Sequence, residues 1–302
     1  FVYRLAGQGV NFDTQLGLTV GDDALRHAVL ASLGRIQVYV VRRHGASILG
    51  QLHYLDTEQH ARLAHIAPSI DDGASADLWL ALLDGLVVMA GQRGVVTLIA
   101  EVGTSAPEFV ILRRSGFATY TRQEIWVRPP QPIDSLCATL NPVETDTGNS
   151  LPALISSVVP SLIKHVEPPV TAADRLYTVP ERRGPAGMVA VYEGPSADLI
   201  EVYVSPQAEA LPGQILSAAL TTVQAEKRTI YCRVRSYMGC PASALSGACF
   251  DLLTTQAAMY RQTAARVQHR TYDVGEKVEA GIALPTSIVD APWSRQGGPA
   301  TL

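Results

Sequence analysis

Apolar residues along this chain recur with two periods, and the switching between them sets out an ordered series of strands and helices. Ile36 to Val41 and Ser47 to Leu55 are β-branched or alternating runs on either side of Gly45, the pattern of a hairpin. A strand over Ala61 to Ala67 stops at Pro68. From Ala76 to Gln92 the apolar positions cover most of a helical circumference, which predicts a helix buried on more than one side and ended by Gly94. Val95 to Val102 is a continuous apolar run, so a central strand covered on both faces is expected. Ser105 is placed to cap a helix with Pro107 in its first turn; Gly116 closes it, and an alternating strand, Ala118 to Val127, follows. Ahead of these elements, Gly21 to Leu33 reads as a short helix with Asp22 and Asp23 at its positive end.

The same order returns further along: helical Ser150 to His165, a hairpin around Gly184, strand Leu199 to Val204, helix Gly213 to Glu226, strand Thr229 to Val234, a helix near Ala242 to Leu245, and strand Leu252 to Ala264. Side chains repeat with the elements. Phe117, Thr121, Gln123 and Arg128 stand at one spacing before Phe250, Thr254, Gln256 and Arg261, and Ile66-Ala67-Pro68 resembles Val204-Ser205-Pro206. Two copies of one unit are therefore expected. Residues 1–130 form an N-terminal domain, 131–148 a Pro-, Thr- and Asp-rich linker, 149–266 a C-terminal domain, and 267–302 an extended arm with little periodicity. The length of 302 residues agrees with two domains of roughly 150 residues each.

Composition narrows the classes of partner. A net charge of -4 gives no reason to expect nucleic acid or an anionic membrane. Charged residues are only 17% of the chain, so more surface than usual is neutral and available to a second subunit, with the arm as a further contact; homo-oligomeric assembly is thus open. The run Leu78 to Gly91 is interrupted by Asp84 and is too short to span a bilayer. Four cysteines without a C-x-x-C spacing read as reduced core thiols of a cytoplasmic protein.

The order hairpin, strand, buried helix, strand, short helix and terminal strand, with Gly116-Phe117 before the last strand, resembles the GNAT fold of acyl-CoA-dependent N-acetyltransferases. The likeness is carried by Leu63 to Gln92, Val95 to Val102, and Leu112-Arg113-Arg114-Ser115-Gly116-Phe117, the last similar to that family's Tyr-x-x-x-Gly-Phe ending. It covers nearly all of residues 36–128 and, more faintly, 150–264. The resemblance implies an α/β (mixed α+β) class with two tandem GNAT-like domains, each a twisted mixed sheet flanked by helices. It also implies a fourth strand splayed from the fifth, with the pantetheine of acyl-CoA paired to the exposed edge. The pyrophosphate would sit on backbone N–H groups at the start of the next helix, where a Gln/Arg-x-x-Gly-x-Gly/Ala loop lets an anion approach.

Neither copy keeps that loop. Matching Leu80-Ala81-Leu82-Leu83 to the family's Ser-Ala-Leu-Leu puts Asp77 and Trp79 where glycines belong, and Asp71, Asp72 and Asp77 add negative charge at the helix start, so no cofactor is expected in the N-terminal domain. In the second copy Ser217-Ala218-Ala219-Leu220 takes the same place, with Gln214 and Leu216 at the glycine positions. Gly213 remains, and no carboxylate lies between Pro212 and Leu220. Acetyl-CoA is therefore expected, if anywhere, in the C-terminal domain on Gly213, Gln214 and Ile215.

Acyl transfer to an amine needs a base for the amine and an acid for the departing thiolate. Where the family often has a tyrosine acid, this chain has Leu112 and Leu245. Glu201 lies on the matching strand of the second copy as the candidate catalytic base, with a solvated or ion-paired strand glutamate as the favoured reading. His65 takes the equivalent place in the first copy, and Tyr120 and Tyr237 are the available replacement acids. Arg233 and Arg235 alternate on a strand and share a face, where they can hold an external anion or protein carboxylates. Gly7-Gln8-Gly9 lacks the rest of a dinucleotide fingerprint, and His53 and His60 lie too far apart for a metal pair. Two functions stay open: an N-acetyltransferase-like protein with weakened or lost transfer from acetyl-CoA to an amine, or an inactive structural or self-assembly protein of the same fold.

Overall fold

The computed structural model describes residues 9–20, 35–43, 45–55, 59–71, 75–133, 140–143, 150–181, 185–206, 208 and 212–263. The expected helix at 21–33, the Gly184 turn, Gly7-Gln8, Asp72, Cys137 and the arm after 267 lie outside those residues.

Two short elements come first, neither foreshadowed by periodicity: strand β1 (Val10–Asn11) and helix α1 (Thr14–Val20). The hairpin β2 (Ile36–Arg43) and β3 (Ala46–Tyr54) follows. Its turn uses Gly45 at φ 79°, a left-handed conformation that a glycine adopts without a Cβ penalty. Then come β4 (His60–Ala67), α2 (Ala76–Gln92), β5 (Thr97–Gly103), α3 (Pro107–Arg114) and β6 (Ala118–Arg128). Within the expected linker, β7 (Asn141–Pro142) pairs with a later strand. Pro160, whose ring cannot donate to a helix, divides the predicted 150–165 helix into α4 (Ser150–Val158) and α5 (Ser161–Lys164). The remaining elements are β8 (Arg175–Val179), β9 (Gly187–Tyr192), β10 (Asp198–Val204), α6 (Pro212–Thr222), β11 (Ile230–Arg235), α7 (Ala242–Gly247) and β12 (Asp251–Gln262).

Two local expectations need correction. Helix α2 buries one broad stripe, Leu78, Trp79, Leu82, Leu83, Leu86 and Ala90, against the sheet, while Val88 is 57% exposed; its apolar circumference does not mean burial on several sides. Ser105 does not cap α3. Ala106 occupies the cap position without a side-chain hydrogen bond, and Pro107 starts the helix.

All strands among the described residues join one twelve-stranded mixed sheet, in the order β2-β3-β4-β5-β12-β6-β11-β10-β9-β8-β7, with β1 on β4 off this path. From β2 to β8 the order is a palindrome about the β12–β6 pair. Each terminal strand lies in the other half: β12 runs antiparallel to β5, and β6 antiparallel to β11. At the centre, Gln123 pairs with Gln256, the residue that the sequence repeat matches to it, and their side chains are bonded at 2.9 Å.

One apolar core lies between α2 and the first half of the sheet, around Ile48, Leu52, Leu63, Leu82, Leu98 and Phe117. Gly50 lets α2 approach, since an added Cβ would press on Leu82 and Leu86. A second core lies between α6 and the other half, with Ile200, Val202, Ile215, Leu216, Ile230 and Leu245. The opposite face of that half packs on α4 through Leu154, Met188, Leu199 and Tyr203. Arg128 ties the centre to the loops: its guanidinium donates to the carbonyls of Ala248, Ala225, Gln131 and Pro132. Four carbonyls thus gain donors from one buried side chain.

Candidate functional site

The sheet is split twice. β4 and β5 pair in parallel only over His60–Arg62 and Thr97–Ile99, and β10 and β11 only over Asp198–Ile200 and Ile230–Cys232. Beyond those short ladders each pair of strands parts, leaving main-chain groups to be satisfied by something other than the neighbouring strand.

In the first split, the segment that precedes α1 supplies the partner. β1 pairs antiparallel with β4, the Phe12 amide donates to the Ala64 carbonyl at 2.9 Å, and the Glu101 amide donates to the Phe12 carbonyl at 2.9 Å. Phe12 is 1% exposed and packs edge-on to Trp79 with ring centroids 6.0 Å apart. Trp79 itself is buried and donates its indole N–H to the Pro68 carbonyl, so it supports the segment from beneath rather than crowding a loop. Asp13 then accepts from Arg62 at 3.1 Å, from the Leu16 amide, and shares a 2.9 Å hydrogen bond with His53 Nδ1. Burial alone would raise the Asp13 carboxyl; Arg62 and His53 outweigh it and hold the group well below the usual carboxylate range. Phe12→Ala is expected to cost about 3–5 kcal/mol, read as a lower urea midpoint at unchanged slope, because it removes a ring enclosed on both sides.

The second split carries the charges. Arg233 Nε and Nη2 each lie 2.5 Å from Glu201 Oε1, and its Nη1 donates to Glu101 at 3.2 Å. Arg235 Nη1 lies 3.0 Å from Glu167 and 3.4 Å from Glu201, and its Nε donates to Gln123 at 3.3 Å. Tyr203 donates its hydroxyl to Glu201 at 2.7 Å. Through Gln123 the network reaches Gln256 and the Thr14 hydroxyl, so both halves and α1 share it. Burial would raise the Glu201 carboxyl, but the two guanidiniums prevail and bring it to about 2. Glu101 is likewise lowered: burial opposes, and Arg233 and Arg62 dominate. At the far end of the split, the Met238 carbonyl accepts from the Val204 amide at 2.9 Å.

The predicted site residues divide accordingly. Glu201 is 1% exposed and is an ion-pair partner of both strand arginines, which hold protein carboxylates. Counted from the parallel ladders, its counterpart in the first half is Leu63 rather than His65; the β3–β4 register slips around Ala64 between them. Leu112 and Leu245 are fully buried apolar residues. Tyr237 donates to Glu167, and Tyr120 packs edge-on to Tyr260; burial raises both phenols. Gly213 and Gln214 lie in the first turn of α6, Gln214 exposed and Gly213 with open space where a Cβ would stand, whereas the Ile215 side chain is in the core and offers only main chain. Beside that helix start, a groove of about 640 Å³ is bounded by Pro212, Val234, Ser236, Gly239, Cys240 and Pro241. Cys232 and Cys240 are buried as expected, and burial pushes the Cys240 thiol up to about 11; Cys249 is exposed, contrary to the core reading. Sequence reasoning missed Glu101, although it is the one charged residue of a strand otherwise read as wholly apolar.

A mixed sheet split between parallel strands, with a helix against each half, defines an α/β protein. No protein-family model matches the sequence, and no curated protein matches it. Among solved structures, the chain is similar to a GCN5-related N-acetyltransferase from Sphaerobacter thermophilus, at 13% identity and TM-score 0.51, over 80% of this chain and 87% of that one. It is also similar to a tandem GNAT protein from the clavulanic acid biosynthesis pathway (15% identity, 76% and 83% covered, TM-score 0.44). A GCN5-related N-acetyltransferase from Kribbella flavida gives 14% identity, 78% and 93% covered, and TM-score 0.47. The first likeness shows the fold: this chain has the architecture of the GNAT acetyltransferases. Among the described residues no helix is long and apolar enough to cross a membrane.

Proposed function

We infer that the protein is a tandem duplication of the GNAT fold in which the N-terminal half no longer takes acyl-CoA, the C-terminal half keeps a site for it, and acetyl transfer to an amine is weakened or lost. The observation that carries this reading is the Val10–Asp13 segment. It occupies main-chain hydrogen-bonding positions on both sides of the first split, where the fold would otherwise admit pantetheine, and its Phe12 and Asp13 are fully buried. Displacing it would expose Phe12 and strand Arg62 without its carboxylate.

The second half is the more hospitable one. The groove beside the start of α6 is lined by Pro212, Gly239 and Pro241, with Arg122 and Arg235 against one carboxylate, Glu124, and Gly213 and Gln214 present an open first turn with no carboxylate through Leu220. Transfer is another matter. A base that works near neutrality must be free to take a proton there, and Glu201, at about 2 and held by two guanidiniums, is poorly matched to that task. Leu245 supplies no acid for the thiolate.

Calorimetric titration with acetyl-CoA is expected to give one site per chain, with thiol release in the presence of amines no faster than without protein. Gln214→Asp is expected to weaken binding by about tenfold through repulsion of the pyrophosphate. Two sites, no site, or an affinity unchanged in Gln214→Asp would each overturn this placement. A second reading, self-association, is favoured by β2, which ends the sheet and exposes Val38 and Val40; light scattering at high concentration reads it directly.

A further inference from the structure

On the sheet face opposite α6, a recess of about 220 Å³ descends onto the charge network. It lies away from the groove at the α6 start. Its floor is Tyr192, Glu201, Tyr203, Arg233 and Arg235, whose charges satisfy one another as described above. Its mouth includes Arg35, Pro169, Ala172 and Asp174, all exposed.

The two walls differ in sign. The wall from the first half of the chain brings Arg35, His53 and Arg62 to the recess and no carboxylate; Asp13 sits behind it. Arg62 uses Nη1 for Asp13 and Gln15, and no hydrogen bond from its Nη2 is found among the described residues. The facing wall, residues 167–174, brings Glu167 and Asp174 and no cation. Glu167 accepts from Tyr237 and Arg235 through Oε2, and the Tyr120 hydroxyl lies beside the same carboxylate, while Oε1 is buried without a well-formed hydrogen bond. A buried carboxylate oxygen lacking a donor is costly, and a donor brought by a ligand relieves that cost.

We propose that this recess binds a small zwitterion, an amine and a carboxylate on one short chain, with the ammonium toward the Glu167 carboxylate and the carboxylate against Arg62. A net-neutral dipole leaves the mutually compensated floor undisturbed, whereas a simple anion would meet Glu167, Glu201 and Asp174, and a simple cation would meet Arg62 and Arg35. The volume admits a molecule the size of a free amino acid. This goes beyond the acyl-CoA reading and does not depend on it, because binding is measured without acetyl-CoA.

The test is calorimetry on the whole chain with glycine, β-alanine, 4-aminobutanoate and 6-aminohexanoate as probes, and with acetate and methylammonium as single-charge controls. One chain length is expected to bind best and to exceed both controls. Glu167→Gln, which keeps the size of the side chain, is expected to weaken that probe by about tenfold or more. Ala172→Trp, at the exposed mouth, is expected to abolish binding without touching a charge, so the proposal stays testable even where Glu167→Gln unfolds. It is overturned when no probe binds at millimolar concentration, when acetate or methylammonium binds as tightly as the best probe, or when binding survives Ala172→Trp.

Discussion

Glu201→Gln is expected to lower folding stability at neutral pH by about 3–5 kcal/mol, because it leaves Arg233 and Arg235 buried with a deficit of negative charge. The pH dependence gives an independent signature. The Glu201 carboxyl titrates at about 2 in the folded chain against an ordinary value of 4.5. A carboxyl lowered by folding contributes stability that is fully present above its unfolded pKa and is lost as pH falls through the folded one. Stability of the native chain should therefore decline between pH 4.5 and about 2. In Glu201→Gln the decline should be shallower, with Asp13 and Glu101 still contributing because both are also lowered. Urea unfolding at a series of pH values measures both effects. A variant of native stability with an unaltered pH profile would mean that the guanidiniums are satisfied without Glu201.

Separating the halves should have a still larger effect. Cutting the chain between Val143 and Ser150 leaves β5 without β12, β11 and β12 without β6, and β8 without β7, the four ladders that join the two pieces. Each half alone is expected to bind an apolar dye and to melt without a cooperative transition, while the mixed halves recover one transition and native circular dichroism. Either half melting cooperatively alone would show that exchange of the last strands is dispensable.

The succession of elements was legible because it is encoded locally: period-two runs became β2, β3 and β6, and the helical stripe of 76–92 became α2 to the residue. The pairing of Arg233 and Arg235 with protein acids was among the readings their alternation allowed, and it is the one found. What stayed hidden depends on contacts distant in sequence. Val10 to Asp13 is short, mixed in polarity and without a period, so nothing local marks it as the partner of two strands. The exchange of β6 and β12 is equally silent, since either strand has the alternation to fit beside β5 or β11. Glu101 was masked by its apolar neighbours, and Arg128 stood out only as a repeated letter, although both are nearly fully buried and bonded. The matching of His65 to Glu201 was an error of alignment that the repeat itself corrects, since the match of Ile66-Ala67-Pro68 to Val204-Ser205-Pro206 sets Leu63 opposite Glu201, as the parallel ladders do.

The interlocked centre also bears on how the chain is made. As the polypeptide leaves the ribosome, β5 and β6 emerge long before β12, and the place between them stays vacant until β12 itself has been made. Meanwhile β6 can settle directly on β5, a closure that must be undone before β12 can enter. Nascent chains stalled before residue 251 should thus hold a misregistered first half, with an open backbone edge that attracts chaperones.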